Sequence, residues 1–309
     1  MIENDILIKV SWLYYFDNKT QSEISKILNI SRQKVQRLLA KAREKEIVKI
    51  RLSNPAYNLI SLEKELKEKF NLEDAVVVPT VEKGEDLKRD LVKGLANYLY
   101  PLLSKVSILG IGSGSTICYL HEYLDSNVNL KKDFKIVSLF GTLFRNSSSN
   151  PYIIGTRIAE KLNRPFYGLW SPYLSNNIES AKMIREQEMI KRTFDFIKNV
   201  DISIVGIGGA VDVNSLYFKY GTLSIEEIKE LCKRNSVGDI LGHWYDINGK
   251  MVWEEMNEKY ISANVKTPGK TIGVSGGENK VKGIRGALAG NYIDVLVIDE
   301  ETAKKVISM

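Results

Sequence analysis

Thr20-Gln21-Ser22-Glu23-Ile24-Ser25-Lys26-Ile27-Leu28-Asn29-Ile30-Ser31-Arg32-Gln33-Lys34-Val35-Gln36-Arg37-Leu38-Leu39-Ala40-Lys41-Ala42-Arg43 reads as two short helices joined by one sharp turn. Thr20 and Glu23 stand at capping-box spacing, where the hydroxyl takes the Glu23 amide and the carboxylate reaches back to the Thr20 amide. Ile24, Ile27 and Leu28 follow at helical spacing. Ser31 is the N-cap of the next helix, whose apolar stripe is Val35, Leu38, Leu39 and Ala42. Only Asn29-Ile30 lie between the helices. Asparagine tolerates the left-handed backbone of a tight turn, and Ile30 can plug the angle between the helices.

With that stripe turned inward, Arg32, Gln33, Gln36 and Arg37 face outward. Arginine and glutamine make bidentate contacts with guanine and adenine edges in the major groove. Lys34, Lys41 and Arg43 flank them at positions suited to phosphates. The candidate DNA-contacting set is Ser31, Arg32, Gln33, Lys34, Gln36, Arg37 and Lys41. A structural three-helix bundle with a polar face would show some of these features. The capping box, the asparagine turn and the outward Arg/Gln array together favour DNA.

The neighbours of this pair agree. Upstream, Ile6, Val10 and Leu13 mark a first helix over about Asp5–Phe16, and downstream the alternation Ile47-Val48-Lys49-Ile50-Arg51-Leu52 predicts a wing strand. Residues 1–54 hold 11 Lys+Arg against 6 Asp+Glu, and the remaining 255 hold 33 against 32, so nearly all of the net +6 is N-terminal. A basic patch confined to a small domain is the footprint of a phosphate-backbone binder, although lysine-rich solvated faces are also common.

Asn54-Pro55 marks a break, after which Leu59, Leu62, Leu66 and Phe70 form a helical stripe in a Lys/Glu-rich segment. The stripe serves either self-association or packing against the chain's own second domain. From Ala75 onward, β-branched runs alternate with amphipathic helices. Strands are expected at Ala75–Pro79, Val106–Ile111, Lys135–Phe140, Ile202–Gly206, Thr271–Val274 and Ile293–Ile298. Helices are expected near 86–103, 115–124, 152–162, 178–198, 224–234, 280–289 and 301–308. Continuous apolar strands separated by helices predict a parallel sheet covered on both faces, an α/β fold. The expected domains are a helix-turn-helix over 1–54, a linker or oligomerisation helix over 55–72 and an effector domain over 73–309.

Ligands of such sheets bind beyond the strand C-termini, at a topological switch point. Several expected strands end in small, flexible loops there, among them Gly110-Ile111-Gly112-Ser113-Gly114-Ser115-Thr116, Gly141-Thr142, Gly206-Ile207-Gly208-Gly209 and Ser275-Gly276-Gly277-Glu278-Asn279-Lys280. The first leads into a helix whose expected first turn carries Ser115 and Thr116. Amides, hydroxyls and a helix N-terminus make a phosphate cradle, although glycine at strand–helix turns is often only steric. The loop matches neither the P-loop nor the dinucleotide fingerprint, so nucleotide binding is not indicated. In Gly238-Asp239-Ile240-Leu241-Gly242-His243-Trp244-Tyr245-Asp246, Asp239 could pair with a sugar hydroxyl or simply cap a surface turn. Lys280 stands at the start of an expected helix, where a cation is poorly placed for the dipole, which hints at a ligand contact.

Composition excludes other classes. At 44% hydrophobic and 27% charged, the chain resembles an ordinary soluble globular protein. Cys118 and Cys232 are its only cysteines and no CxxC occurs, which argues against a disulfide framework or a thiolate zinc site. His243 has no partner histidine at metal-ligand spacing. No apolar run is long enough to span a bilayer, and the N-terminus does not read as a signal peptide, so the expected compartment is the cytoplasm. No cofactor or metal is expected.

The ordered set of motifs resembles the SorC family of sugar-responsive bacterial transcriptional regulators (the SorC/DeoR type) over essentially the whole chain. The matching pieces are Tyr14-Tyr15 with Thr20–Ile24, Ser31-Arg32 with Val35 and Arg37–Leu39, and Ala42-Arg43. They continue through Gly110–Thr116, Val205–Gly208, Val237–Gly242 with Tyr245-Asp246 and Gly249, and Gly276-Gly277 with Lys280. The tail, Ala287-Leu288 to Val295-Leu296 with Asp299 and Thr302-Ala303, also fits. The resemblance implies a winged helix-turn-helix fused to a domain similar to sugar-phosphate isomerases, commonly assembled as a homotetramer. It implies that Gly112, Ser113, Gly114, Ser115 and Thr116 hold the phosphate of a phosphorylated sugar or related effector. Asp239 and Lys280 would contact the sugar end, with Gly141, Thr142, Gly276 and Gly277 completing the pocket. Gly141-Thr142 stands where a Gly-Gly pair is expected of the family, which bears on the shape of that wall.

The expected function is that of a DNA-binding regulator whose operator affinity is set by the effector, with double-stranded DNA and a second copy of the chain as partners. The alternative is a sugar-phosphate isomerase or aldolase-like enzyme carrying a DNA-binding appendage, with Asp239 as base or Lys280 as Schiff-base amine. Replacing Arg32 or Gln36 with Ala is expected to relax base preference by about 1–3 kcal/mol for each lost bidentate pair. Lys41→Ala is expected to weaken binding to every sequence and to flatten its salt dependence. Titration of operator and random DNA over a range of salt separates the two effects; equal losses on both DNAs for Gln36→Ala would overturn the assigned groove-facing side.

Overall fold

The computed structural model describes residues 2–45, 47–48, 56–80, 85–143, 148–211, 216–219 and 222–309, which fall into two units, Met1–Tyr57 and Asn58–Met309. In the first unit, helices α1 (Ile2–Tyr15), α2 (Gln21–Ile27) and α3 (Arg32–Glu44) enclose Val10, Ile24, Val35 and Leu39. The capping box forms as its spacing predicts: Thr20 Oγ1 accepts from the Glu23 amide at 3.3 Å, and Glu23 Oε2 accepts from the Thr20 amide at 2.7 Å. Ser31 Oγ caps α3 by accepting from the Lys34 amide at 3.2 Å. Asn29 has φ +52°, and Ile30 packs against the core between the helices. The predicted wing strand lies outside the described residues from Lys49 onward; Ile47 and Val48 form a bend.

The second unit is built on a seven-stranded, wholly parallel sheet of order β1-β9-β8-β5-β2-β3-β4. Its strands are β1 (Asp74–Val78), β2 (Ile108–Ile111), β3 (Lys135–Ser138), β4 (Phe166–Tyr167), β5 (Ile202–Gly206), β8 (Lys270–Val274) and β9 (Val295–Asp299). β6 (Gly238–Ile240) and β7 (His243–Tyr245) form a separate antiparallel hairpin. Successive residues of a strand point to opposite faces, so the β-branched runs feed two apolar layers. On one face, Leu109, Ile136, Ile204 and Val297 pack under α5 (Glu85–Leu103) and α7 (Pro151–Leu162), with the short α6 (Leu120–Tyr123) nearby. On the other, Val137, Val205, Leu296 and Ile298 share a core with α4 (Ala56–Phe70), α9 (Glu188–Ile197), α11 (Ile225–Lys233), α13 (Val281–Ala289) and α14 (Glu300–Ser308). Leu66 and Phe70 of α4 are buried in that core, with Leu59 and Leu62 packed against it. Of the two roles open to this stripe, the structure displays packing against the chain's own unit.

Several local expectations are corrected. The helix expected over 178–198 is two, α8 (Ile178–Glu186) and α9, because Gln187 adopts extended ψ 133°. The helix expected from 115 becomes a 3-10 turn, Ile117–Tyr119, followed by the four-residue α6. The segment around Asp239 is not a surface turn: Leu241 and Gly242, at φ +52° and +80°, close the β6–β7 hairpin, and Asp239 is buried. Short helices α10 (Leu216–Lys219) and α12 (Glu254–Lys259) had no periodic signal of their own.

Three glycines seat this hairpin against the sheet. A Cβ on Gly238 would lie 2.5 Å from the Gly208 carbonyl oxygen, and one on Gly283 would lie 2.2 Å from the same atom. The Gly208 amide in turn donates to the Asp239 carbonyl at 2.8 Å. Gly283 is inside α13, where alanine would ordinarily be favoured by about 1 kcal/mol. Backbone atoms cannot move aside as a flexible side chain can, so the clash outweighs the propensity. Gly283→Ala is expected to destabilise the protein by about 1–3 kcal/mol, read as a lower urea midpoint; an unchanged or raised midpoint would show that α13 is free to shift.

Candidate functional site

The candidate DNA-facing surface is the polar side of α3. Val35, Leu39 and Ala42 are buried, whereas Ser31, Arg32, Gln33, Lys34, Gln36 and Arg37 are all exposed and Lys41 is half-buried. Arg32, Gln33, Gln36 and Arg37 therefore share the outward side, and Lys41 and Arg43 fall in the last turn. A helix held by its cap and presenting Arg and Gln from its first two turns has the shape and donors to enter a major groove.

In the second unit, β2 leads outward through β3 and β4, whereas β5, on the other side of β2, leads through β8 and β9. The direction of winding reverses between β2 and β5, and the crevice at such a switch point opens beyond the strand C-termini. A cleft of about 830 Å³ lies there. Its walls include Ser113–Thr116 after β2, Gly206–Val211 after β5, Val274–Lys280 after β8 and the side chains of Asp239, Leu241 and Trp244 from the hairpin.

Ser113, Gly114, Ser115, Thr116, Asp239, Gly276, Gly277 and Lys280 are thus brought together as the sequence suggested. Gly112, Gly141 and Thr142 do not line the cleft. A Cβ at Gly112 would press on Leu241 and on the Ile204 carbonyl, so this glycine permits close packing of β2 against its neighbours. Gly141 is buried with its Cα hydrogens toward Pro172 and Tyr173, and Thr142 Oγ1 donates to the Ser171 carbonyl at 2.8 Å. Their neighbours Phe140 and Leu143 reach the cleft instead. His243 is structural, with Nε2 3.0 Å from the Ala263 carbonyl oxygen.

At the β2 end, Thr116 precedes a 3-10 turn without capping it, so no α-helix N-terminus supports this loop. Among the described residues, the hydroxyls and amides of Ser113, Ser115 and Thr116 have no hydrogen-bond acceptor in the chain. They are open donors on one wall. Lys88 of α5, Thr80 after β1, Lys305 of α14 and Tyr217 of α10 also line the cleft, although sequence reading had not singled them out. Each comes from a segment remote in the chain, and a single lysine on an amphipathic helix looks like any solvated lysine.

At the hairpin end, Asp239 Oδ2 accepts from the Tyr217 hydroxyl and, at 3.2 Å, from the Gly242 amide. Oδ1 rests against Gly208, where a Cβ would come within 1.9 Å of it. The Tyr217 ring meets Trp244 edge-on at 5.0 Å, and Trp244 Nε1 donates to the Tyr260 hydroxyl at 3.1 Å. Burial raises the Asp239 pKa, and the Tyr217 hydrogen bond, the Lys280 charge and the Gly242 amide oppose it. Burial lowers the Lys280 pKa; Asp239 holds it up, and Lys88 pushes it further down. Lys88 and Lys280 thus feel each other's charge across a cleft lined with open donors. Among the described residues no group of His, Cys, Asp and Glu could hold a metal, and no helix is long and apolar enough to cross a membrane.

A capped helix with an outward Arg/Gln array and a polar switch-point cleft on one chain fit a ligand-responsive DNA-binding protein. Residues 54–308 match the family described as "Putative sugar-binding domain", and residues 12–45 match sigma-70 region 4. The chain is 29% identical to the erythritol catabolism regulatory protein EryD of Brucella abortus (strain 2308), over 99% of this chain and 97% of that one. It is 30% identical to the deoxyribonucleoside regulator of Bacillus subtilis (strain 168), over 99% and 98%. The full-length sorbitol operon regulator SorC of Klebsiella pneumoniae has the same fold, with a TM-score of 0.76 at 29% identity over 99% of this chain and 100% of that one. The chain belongs to this SorC/DeoR-type sugar-binding family and is a sugar-responsive, DNA-binding transcriptional regulator.

The raised Asp239 pKa has a measurable consequence. Between the ordinary aspartate value, about 3.9, and its raised value in the fold, the native chain holds a proton that the unfolded chain has released. This group's contribution to stability therefore falls as pH rises through that window. Asp239→Asn is expected to remove that part of the pH dependence, seen as a flatter profile of melting temperature between pH 4 and 7. A variant whose profile ran parallel to wild type would overturn the assignment.

Proposed function

We propose that the effector is a phosphorylated sugar or a closely related small carbohydrate and that the cleft binds and releases it without turning it over. The open donors of Ser113, Ser115 and Thr116, facing a cleft shared with Lys88 and Lys280, carry this reading. An anion there gains backbone and hydroxyl hydrogen bonds and the attraction of two ammonium groups, without a helix dipole. Asp239, Thr80 and Lys280 offer acceptors and donors for sugar hydroxyls. Erythritol, sorbitol and deoxyribonucleosides, named for the relatives, are small polyhydroxylated compounds or their derivatives.

Regulation rather than catalysis is supported by the relatives, which are named as regulators. A general base needs a free carboxylate oxygen within reach of the proton it removes. Tyr217 and Gly242 engage one oxygen of Asp239, which leaves the other to accept from a sugar hydroxyl. The proposed domain limits are 1–54 for DNA binding, 55–72 for a connecting helix and 73–309 for effector binding. A homo-oligomer acting in the cytoplasm follows from the need of one helix-turn-helix for a two-fold partner on a symmetric operator.

A thermal-shift screen of phosphorylated and free sugars identifies the effector. Thr116→Val and Lys280→Ala are each expected to weaken it about tenfold or more, the effect of losing a charge-assisted hydrogen bond. Effector-free DNA binding should remain near wild type. DNA titrations with and without the effector check this, and a wild-type response in both variants would place the pocket elsewhere. Turnover of aldose or ketose phosphates by the wild-type protein would favour the enzyme reading instead.

A further inference from the structure

β4 is the outermost strand of the sheet and, among the described residues, pairs only with β3, so that its other edge carries no strand there. Open edges are normally shielded by charge, brevity or a covering element. This one is short, two residues, but aromatic side chains stand exposed beside it. Trp170 is 48% exposed and its ring lies 4.8 Å from that of Tyr152, which is 39% exposed. Phe166 lies beneath Tyr152 at 6.2 Å. On the other face of the edge, Tyr167 is 37% exposed against Phe196, and Met189 is 57% exposed. The Thr193 hydroxyl contacts both the Gly168 and Met189 carbonyls, which ties the two halves together. With roughly 200 Å² on each full side chain, Tyr152, Tyr167, Trp170 and Met189 leave on the order of 400 Å² of largely apolar surface in water. That is the size of patch that marks an interaction site on a monomer.

Between α7 and β4, Tyr152, Phe166 and Trp170 line a groove of about 580 Å³ that also contains Glu160 and Arg164. Arg164 Nε is buried with no hydrogen-bond partner, and among the described residues neither Arg164 nor Glu160 forms an ion pair. A buried guanidinium nitrogen without an acceptor is costly and calls for one from outside.

We infer that the β4 edge, with its aromatic groove, is where a second copy of this chain docks. The inference rests on the oligomer proposed above and locates its interface. A two-fold contact presents the same patch from both sides, so an acid and a base that are unpaired within one copy meet their opposites in the other. Glu160 and Arg164, side by side in one groove, are such a pair. α7 carries Arg157, Glu160 and Lys161 in one turn, a mixture of signs unsuited to a polyanion. A stable interface covers about 800 Å² on each partner; the apolar patch supplies the centre and the mixed charges the rim.

Sedimentation velocity of the full-length protein at micromolar concentration tests the assignment. Wild type is expected to be at least a dimer. Trp170→Asp, at an exposed position, is expected to fall to half the wild-type mass or less with its circular dichroism retained, the dissociation constant rising more than tenfold. Glu160→Arg should weaken association, and Glu160→Arg combined with Arg164→Glu should restore it. Trp12→Asp, on the separate exposed stripe of α1 where Trp12 and Phe16 stack at 4.5 Å, should leave the mass unchanged. A monomeric wild type would sink the oligomer reading and this interface with it. A wild-type oligomer that survives Trp170→Asp, or that dissolves only with Trp12→Asp, would overturn the β4 assignment alone.

Discussion

The effector unit depends on a backbone approach that only glycine permits. Gly208, after the central strand β5, touches Gly238 at the start of the hairpin and Gly283 on α13, with carbonyl and Cα atoms where side chains would otherwise stand. That approach brings Asp239 beside the sheet's switch point and lets the Gly208 amide donate to the Asp239 carbonyl. A carboxylate in that position is desolvated, and desolvation is tolerable only because Tyr217, Gly242 and the charge of Lys280 compensate it. The polar character of the cleft is therefore a consequence of how closely three backbone segments pack.

The two ends of the cleft are prepared differently. At the hairpin end the chain already satisfies its own acid through a tyrosine on α10, so a sugar hydroxyl arriving at Asp239 must share or replace that bond. At the β2 end the donors are open, and Lys88, which also lines the cleft, has no ion pair among the described residues. An anion gains most where nothing must be displaced; a neutral hydroxyl gains little unless α10 adjusts.

Much of this was legible in the chain. The sheet strands buried on both faces announced themselves as continuous β-branched runs, because a strand without a solvent face has no reason to alternate. The capping box at Thr20 and the asparagine turn placed α2 and α3 closely, since both are local geometry. What escaped was set by tertiary contact. β4 is two residues long, and β6 and β7 are three each, too brief for any period to show. The break at Gln187 has no glycine or proline to signal it. Gly141 and Thr142 looked like pocket residues because glycine at a strand end serves either a ligand or a neighbour, and here Tyr173 is the neighbour. Lys88 and Tyr217 could not be found at all from spacing, because only the fold carries them to the cleft.

The arrangement also explains why such a domain can act as a switch without performing chemistry. A ligand moves an equilibrium only by the difference in its affinity for the two states, however tightly it binds either. A wholly preformed cleft would bind both states alike and transmit nothing. On the proposed reading, a ligand that replaced the Tyr217–Asp239 bond would favour a state in which that tyrosine has moved. The difference need be only a few kcal/mol to change operator occupancy severalfold. The Asp239 carboxyl, buried and held by the Tyr217 hydroxyl and the Gly242 amide, is fixed in place at the cleft wall before any ligand arrives.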